Sequence, residues 1–261
     1  WQVLLTKHIY ATNKDGLWVH TKFGYSLPRR NGKNEVVVIR EMEGLQRGEQ
    51  ILHTAHRTTT SHTAWERLCR LLDQAGIEYV SLRATGRERV EIPETGGRVE
   101  FRTRTSTGGL GEGFDTLIID EAQEYTTDQE SALKYVVTDS KNPQTIFCGT
   151  PPTPLSAGTV FVDFRNSALS GKVENAGWAE WGIDDEVKDI RDKELWYLCN
   201  PSLGTIFTER SIQDEIGEDK NDFMIQRLGL WIKYNQKSAI SENEWRELKV
   251  NAMPVLKGSL C

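Results

Sequence analysis

Apolar positions along the chain follow two rhythms. Short continuous or alternating apolar runs occur at Phe23–Leu27, Gln50–Thr54, Tyr79–Leu82, Thr116–Ile119 and Thr145–Cys148, each the length of a buried strand. Between them lie segments with helical spacing. Asn34–Gly48 predicts a helix with Val36, Val37, Ile39, Arg40 and Met42 along one stripe and Gly48 closing it. Thr60–Ala75 predicts a second, with Trp65, Leu68, Cys69, Leu71 and Leu72 on one side and Gly76 as its stop. Arg87–Thr105 reads as a strand pair around a Thr95-Gly96-Gly97 turn, and Asp128–Val137 as a further helix. Repeated strand–helix–strand units predict an α/β fold, a predominantly parallel sheet with helices on both faces.

The character changes after Thr150. Pro151-Pro152-Thr153-Pro154 makes a rigid connection, Trp178–Trp181 is strand-like, and an acidic stretch and Asn200-Pro201 precede two late helices. Ser241-Glu242-Asn243-Glu244 has the pattern of a capping box opening the last of them. The expected organisation is a core over residues 1–185 and a small appended subdomain over 186–261. No internal repeat or low-complexity tract is visible.

Composition narrows the class. In 261 residues, 38% are hydrophobic and 27% charged, the balance of a globular protein with ample core. No apolar run nears the ~20 residues of a membrane span. Trp1–Leu5 has neither the charged start nor the long apolar segment of a signal peptide. Four widely spaced cysteines predict neither a disulfide framework nor a structural zinc site, and fit a reducing cytoplasm. A net charge of −6 argues against coating DNA by bulk charge, while leaving room for a local basic surface.

Candidate chemistry concentrates at three strand ends. Ser26-Leu27-Pro28-Arg29-Arg30-Asn31-Gly32-Lys33-Asn34-Glu35 lies between a strand and a helix, where backbone N–H groups and a helix N-terminus can cradle phosphate. Lys33 follows Gly32 and would reach the β- and γ-phosphates. Two departures from the full phosphate-loop pattern stand out: Leu27 replaces the first Gly, and Asn34 replaces the Ser/Thr that ligates Mg²⁺. An Asn amide oxygen remains a suitable donor for a hard cation or its water. Leu117-Ile118-Ile119-Asp120-Glu121 puts two carboxylates at the carboxyl end of a strand, where parallel sheets bind ligands. Asp120 suits the Mg²⁺ shell and Glu121 suits activation of water. The separation of eighty-seven positions from Lys33 to Asp120 leaves room for intervening strands, as in the additional-strand class of phosphate-loop ATPases. Gly149-Thr150 ends the next strand, beside the expected γ-phosphate position.

These motifs, in this order, resemble the large terminase subunit of tailed bacteriophages, the ATPase that pumps DNA into the prohead. Trp1-Gln2 is similar to that family's adenine-recognition motif, Pro28–Glu35 to its deviant Walker A, Leu117–Ala122 to its Walker B with catalytic Glu, and Gly149-Thr150 to its coupling motif. The resemblance implies a RecA-like phosphate-loop NTPase fold with a C-terminal lid. It implies Gln2 on adenine; Arg30, Asn31, Gly32, Lys33 and Asn34 around the phosphates; and Asp120 with Asn34 at Mg²⁺. Glu121 and a cis-acting Arg29 would be catalytic, and Gly149 and Thr150 the coupling residues. ATP and Mg²⁺ are the implied cofactors. Double-stranded DNA, a small terminase subunit, the procapsid portal and ring-forming copies of the chain are the implied partners, in the host cytoplasm and without a membrane. Relatives carry a trans-acting Arg before Walker B; here Gly108–Gly113 holds Glu112 there, and Arg102 and Arg104 are the nearest substitutes. Asp184, Asp185, Glu186 and Asp189 read as a solvated acidic face, and the second, nuclease domain of the family is expected to be absent.

Six arginines (Arg83, Arg87, Arg89, Arg98, Arg102 and Arg104) interleave with Glu88, Glu91, Glu94 and Glu100 around the strand pair, which predicts a salt-bridged surface or a DNA-backbone contact. His53, His56 and His62 lack the carboxylates or cysteines of a metal site and are expected to be ordinary loop residues. Two other functions fit the motifs: a DEAD-like helicase or translocase, for which the residues after Thr150 are too few to build a second lobe, and a nucleotide-binding scaffold with a degenerate loop.

Overall fold

The computed structural model describes residues 1–84, 86–105, 113–232 and Leu248. Residues Trp1–Trp231 form one compact unit. Its centre is an eight-stranded sheet: β1 (Lys22–Ser26), β2 (Gln50–Ala55), β3 (Val80–Leu82), β4 (Glu88–Ile92), β5 (Gly97–Thr103), β6 (Thr116–Ile119), β7 (Gln144–Gly149) and β8 (Ala176–Glu180). The spatial order is β3-β4-β5-β2-β6-β7-β1-β8. From β5 to β8 every pairing is parallel, and β3-β4-β5 is an antiparallel extension. β7 thus lies between β1, which feeds the phosphate loop, and β6, which ends in Asp120-Glu121.

The helices among the described residues are α1 (Gln2–Ile9), α2 (Lys33–Gln46), α3 (Thr58–Ala75), α4 (Thr127–Leu133), α5 (Val160–Leu169), α6 (Lys193–Cys199), α7 (Glu209–Asp214) and α8 (Lys220–Leu228). Strand residues alternate between two cores, as the pleat requires. Ile51, Ile118, Ile146 and Cys148 pack with α1, α2 and α3; Leu52, Leu117, Ile119 and Phe147 pack with α4, α5 and Trp231. A third cluster, including Ile190, Trp196, Ile212, Phe223 and Leu228, is built by α6–α8.

Most predicted elements occur within two or three residues of their expected ends. α1 and α5 come without a clear sequence signal, because each is short and exposed apolar residues (Val3, Leu4 and Leu169) blur the period of the buried ones. The strand read at Trp178–Trp181 is β8, displaced to Ala176–Glu180. The helix expected over Asp128–Val137 ends at Leu133. The capping-box segment Ser241–Glu244 lies outside the described residues.

Arg40 is the unexpected member of the core. Its side chain is fully buried under the amino ends of the strands. It donates to Gln144 Oε1 (2.9 Å), Glu49 Oε2 (2.7 Å) and Thr116 Oγ1 (2.8 Å) and lies over the Trp18 ring. It ties α2 to β6 and β7 at the end of the sheet opposite the loop.

Candidate active site

The loop from β1 into α2 is compact and strained. Gly32 caps α2 in the left-handed region (φ 78°), which costs glycine nothing. Arg30 adopts a similar conformation (φ 65°) without that freedom. The turn brings the first N–H groups of α2 to the carboxyl edge of the sheet, and the Tyr25 hydroxyl anchors it by donating to Lys33 O (2.9 Å). Leu27, at the missing first Gly, is fully buried and packs into the core instead of lining the loop opening.

Asp120 faces this loop across β7. The Asn34 amide donates to Asp120 Oδ2 (2.9 Å), and the Cys148 thiol donates to Oδ1 (3.3 Å). Burial pushes the Asp120 carboxyl towards its neutral form, but the nearby His53 and the Lys33 ammonium outweigh it and hold it well below the usual carboxylate range. Lys33, Asn34 and Asp120 are therefore neighbours at this edge of the sheet.

Glu121 occupies the left-handed region (φ 51°), the second non-glycine at this edge to do so. Its carboxylate accepts from His56 N (3.2 Å), Arg57 N (3.3 Å) and the Thr60 hydroxyl (3.1 Å), at the N-terminus of α3. Asp120 and Glu121 thus diverge, one towards α2 and one towards α3, as successive residues leaving a strand do.

Gly149 and Thr150 leave β7 beside the loop: Leu27 N donates to Gly149 O (3.3 Å). Thr150 is buried, and its N–H donates to Gln123 Oε1 (3.3 Å). Gln123 follows the acidic pair and connects the two strand ends. Sequence reasoning missed it, although a Gln two residues past a catalytic-looking acid was there to be weighed.

The remaining loop residues face α6–α8. The buried Asn31 amide donates to Asn200 Oδ1 (2.9 Å), Pro28 O (3.2 Å) and Arg29 O (3.3 Å), and its oxygen accepts from Ser202 N (3.1 Å). Its side chain is therefore a tie to the segment after α6, and its main-chain carbonyl accepts from the Ser202 hydroxyl (2.9 Å). Arg29 Nε donates to Gln226 Oε1 (2.5 Å) on α8, and Arg227 donates to Arg29 O (2.8 Å). Arg30 is exposed beside the same helix, around a cavity of about 540 Å³ lined by Arg29, Arg30, Asp222 and Gln226. Gln2 Nε2 donates to Gly32 O (3.1 Å), and the Trp1 indole to Ser202 Oγ (3.0 Å), so the N-terminal pair sits on the loop.

Two expectations are corrected. His53 is a buried residue of β2, paired through Nδ1 with Glu41 Oε1 (2.5 Å) and 3.9 Å from Asp120 Oδ2 through Nε2. Burial alone would lower its pKa, but Glu41 and Asp120 raise it to about 9, so it is cationic at neutral pH. The strand prediction already covered position 53, and that was the overlooked signal. Arg104 is not an outward finger: it is buried, with its guanidinium on main-chain carbonyls. Arg102 pairs with Glu100, and residues 106–112, including Glu112, lie outside the described residues.

No family model and no curated protein matches the chain. Solved structures do. The large terminase of bacteriophage HK97 superposes with a TM-score of 0.72 at 16% identity, over 88% of this chain and 50% of that one. The large terminase of a thermophilic bacteriophage, in complex with ADP, gives 0.62 at 15% identity over 88% of this chain and 52% of that one. The large terminase ATPase domain of Thermus phage P74-26 gives 0.58 at 13% identity over 85% and 91%. This chain spans about half the length of the first two. Its fold is that of the phage large-terminase ATPase domains, a phosphate-loop NTPase-like α/β sheet.

Proposed function

We propose that this chain is the ATPase domain of a phage large terminase, hydrolysing ATP with Mg²⁺ to drive double-stranded DNA into a procapsid. The observation that carries the reading is the meeting of the α2 N-terminus with the acidic strand end, joined by the Asn34–Asp120 hydrogen bond of 2.9 Å, with the Lys33 ammonium close enough to Asp120 to favour its ionised form.

The residues fit a magnesium nucleotide. Asp120 is held ionised although buried, and Asn34 uses its Nδ2 on Asp120, leaving the amide oxygen for a cation or its water. Among the described residues no group of three His, Cys, Asp or Glu side chains has metal-binding geometry. One or two side chains plus phosphate oxygens is the usual holding of Mg²⁺ at nucleotides. When bound, the ion supplies Lewis-acid polarisation of the β- and γ-phosphoryl oxygens.

Lys33 and the loop N–H groups hold the phosphates of ATP, and Gln2, fixed on Gly32, reads the base. Glu121 takes a proton from the water that attacks the γ-phosphorus, and ADP leaves with its bridging oxygen. Arg29, on leaving Gln226, supplies its planar fork to the charge spread over the phosphoryl oxygens. Gly149 and Thr150, the latter joined to the acidic strand end through Gln123, pass the change to α6–α8 acting as a lid. The working form is a ring of copies on the portal, with a small terminase subunit, in the host cytoplasm. Among the described residues no helix is long and apolar enough to cross a membrane.

Steady-state Mg²⁺-ATP turnover tests this. The wild type should exceed Glu121→Gln by at least about 100-fold, and Lys33→Ala should lose nucleotide affinity. Equal background rates in wild type and Glu121→Gln would leave a nucleotide-binding scaffold instead.

A further inference from the structure

We propose that Arg104 is a positioning residue that fixes the Asp120-Glu121 strand end for hydrolysis; this rests on the reading of Glu121 as the base that activates water. Arg104 follows β5, two strands away from β6. Its side chain crosses the end of β2 and donates from one terminal nitrogen to Thr54 O (3.0 Å) and Asp120 O (2.5 Å), and from the other to Glu121 O (3.0 Å). Its own N–H donates to Ala55 O (2.9 Å). One guanidinium therefore spans the carboxyl ends of β5, β2 and β6.

The position held is the strained one. Glu121 has a left-handed backbone (φ 51°), a conformation that costs a non-glycine residue of order 1–3 kcal/mol and persists only where the surroundings over-determine it. Arg104 holds the carbonyl on one side of that residue and the carbonyl of Glu121 itself. The direction of the Glu121 side chain follows from the two peptide planes so fixed. The planar fork is what the task needs: a lysine ammonium offers one point and cannot span three carbonyls on two strand ends. The side chain is buried and lies over the Tyr125 ring (5.5 Å to its centre), so it cannot swing out to a neighbouring subunit without leaving this seat.

The fold has other support here, which separates positioning from stability. Thr54 O also accepts from Asp120 N (2.9 Å), and Glu121 O from Glu124 N (3.0 Å). Strand pairing of β2 with β5 and β6 remains without the guanidinium. What is lost is the restraint on the two peptide planes at Glu121, which leaves its carboxylate held only by His56 N, Arg57 N and the Thr60 hydroxyl, and a misplacement of about 1 Å at a reacting group costs on the order of 100-fold in rate.

The test uses Arg104→Ala and Arg104→Lys with wild type and Glu121→Gln as references, measuring Mg²⁺-ATP turnover and the Kd of ATPγS. Expected is a kcat reduced about 30- to 100-fold in both Arg104 variants, with the nucleotide Kd within about threefold of wild type, and partial recovery of Arg104→Ala turnover on adding millimolar guanidinium but not sodium chloride. Turnover within threefold of wild type in Arg104→Lys would overturn the assignment, as would loss of kcat and affinity together without guanidinium rescue. Should Arg104→Ala fail to fold, the kcat and Kd of Arg104→Lys decide alone. A wild type no faster than Glu121→Gln would fail the hydrolytic reading itself, and a wild type that exceeds Glu121→Gln beside unimpaired Arg104 variants would fail only this inference.

Discussion

The buried Glu41–His53–Asp120 arrangement makes a quantitative prediction about pH. His53 has a pKa raised from 6.5 in an unfolded chain to about 9 in the folded one, because Glu41 and Asp120 overcome the effect of burial. A raised pKa means that the native state holds a proton the unfolded chain has released. The stabilisation is therefore complete below pH 6.5 and is lost as pH rises through 9. Between those limits the native state binds up to one proton more, so stability falls by up to about 1.4 kcal/mol per pH unit. Over the whole interval this amounts to about 3 kcal/mol. The perturbation is the double variant Glu41→Gln with His53→Gln, because burial pushes the Glu41 carboxyl up and that group would titrate in the single His53 variant. Urea denaturation of both proteins, nucleotide-free and in EDTA, at half-unit steps from pH 6 to 9.5 reads the difference directly. The wild-type curve should fall relative to the variant by about 3 kcal/mol, with the steepest difference between pH 6.5 and 9. Parallel curves would refute the claim that His53 is charged in its buried seat.

Three further outcomes follow from the same geometry. Asn31→Ala removes four hydrogen bonds of a buried amide and should cost about 3 kcal/mol, lowering the melting temperature by roughly 6–12 °C in calorimetry. Gly97→Ala should not yield a folded protein by circular dichroism, since its Cβ would lie 2.1 Å from Leu45 O on the main chain; Gly96→Ala, in open space with φ 74°, should cost only about 1 kcal/mol in urea denaturation. Gln123→Ala should leave nucleotide affinity unchanged and reduce ATP turnover several-fold, because Thr150 N loses the acceptor that joins β7 to the acidic strand end.

Much of the sheet was legible because its central strands are buried on both faces and therefore read as continuous apolar runs. The helices α2 and α3 were legible from their stripes and their glycine stops. The short helices were not: α1 has seven residues after Gln2 and two buried positions, Leu5 and Ile9, too few for a period to show. At the site, Lys33, Asn34, Asp120 and Glu121 could be read from residue type and strand context alone. The direction in which Asn31 and Arg29 face could not, since it depends on Asn200, Ser202 and Gln226, 169 to 197 residues away. Arg104 and His53 were misjudged for a shared reason. Charged residues are usually solvated, and only the assembled strand ends show the carbonyls and carboxylates that hold these two inside.

The central claim is spatial: the ammonium of Lys33 and the carboxylates of Asp120 and Glu121 serve one triphosphate. A crystal structure of Glu121→Gln with Mg²⁺ and ATP tests it most directly. The γ-phosphate should lie between Lys33 Nζ and the residue-121 side chain, with the cation on the Asp120 and Asn34 side. ATP bound away from the β1–α2 loop, or bound there with Asp120 and residue 121 on its far side and out of reach, would contradict it.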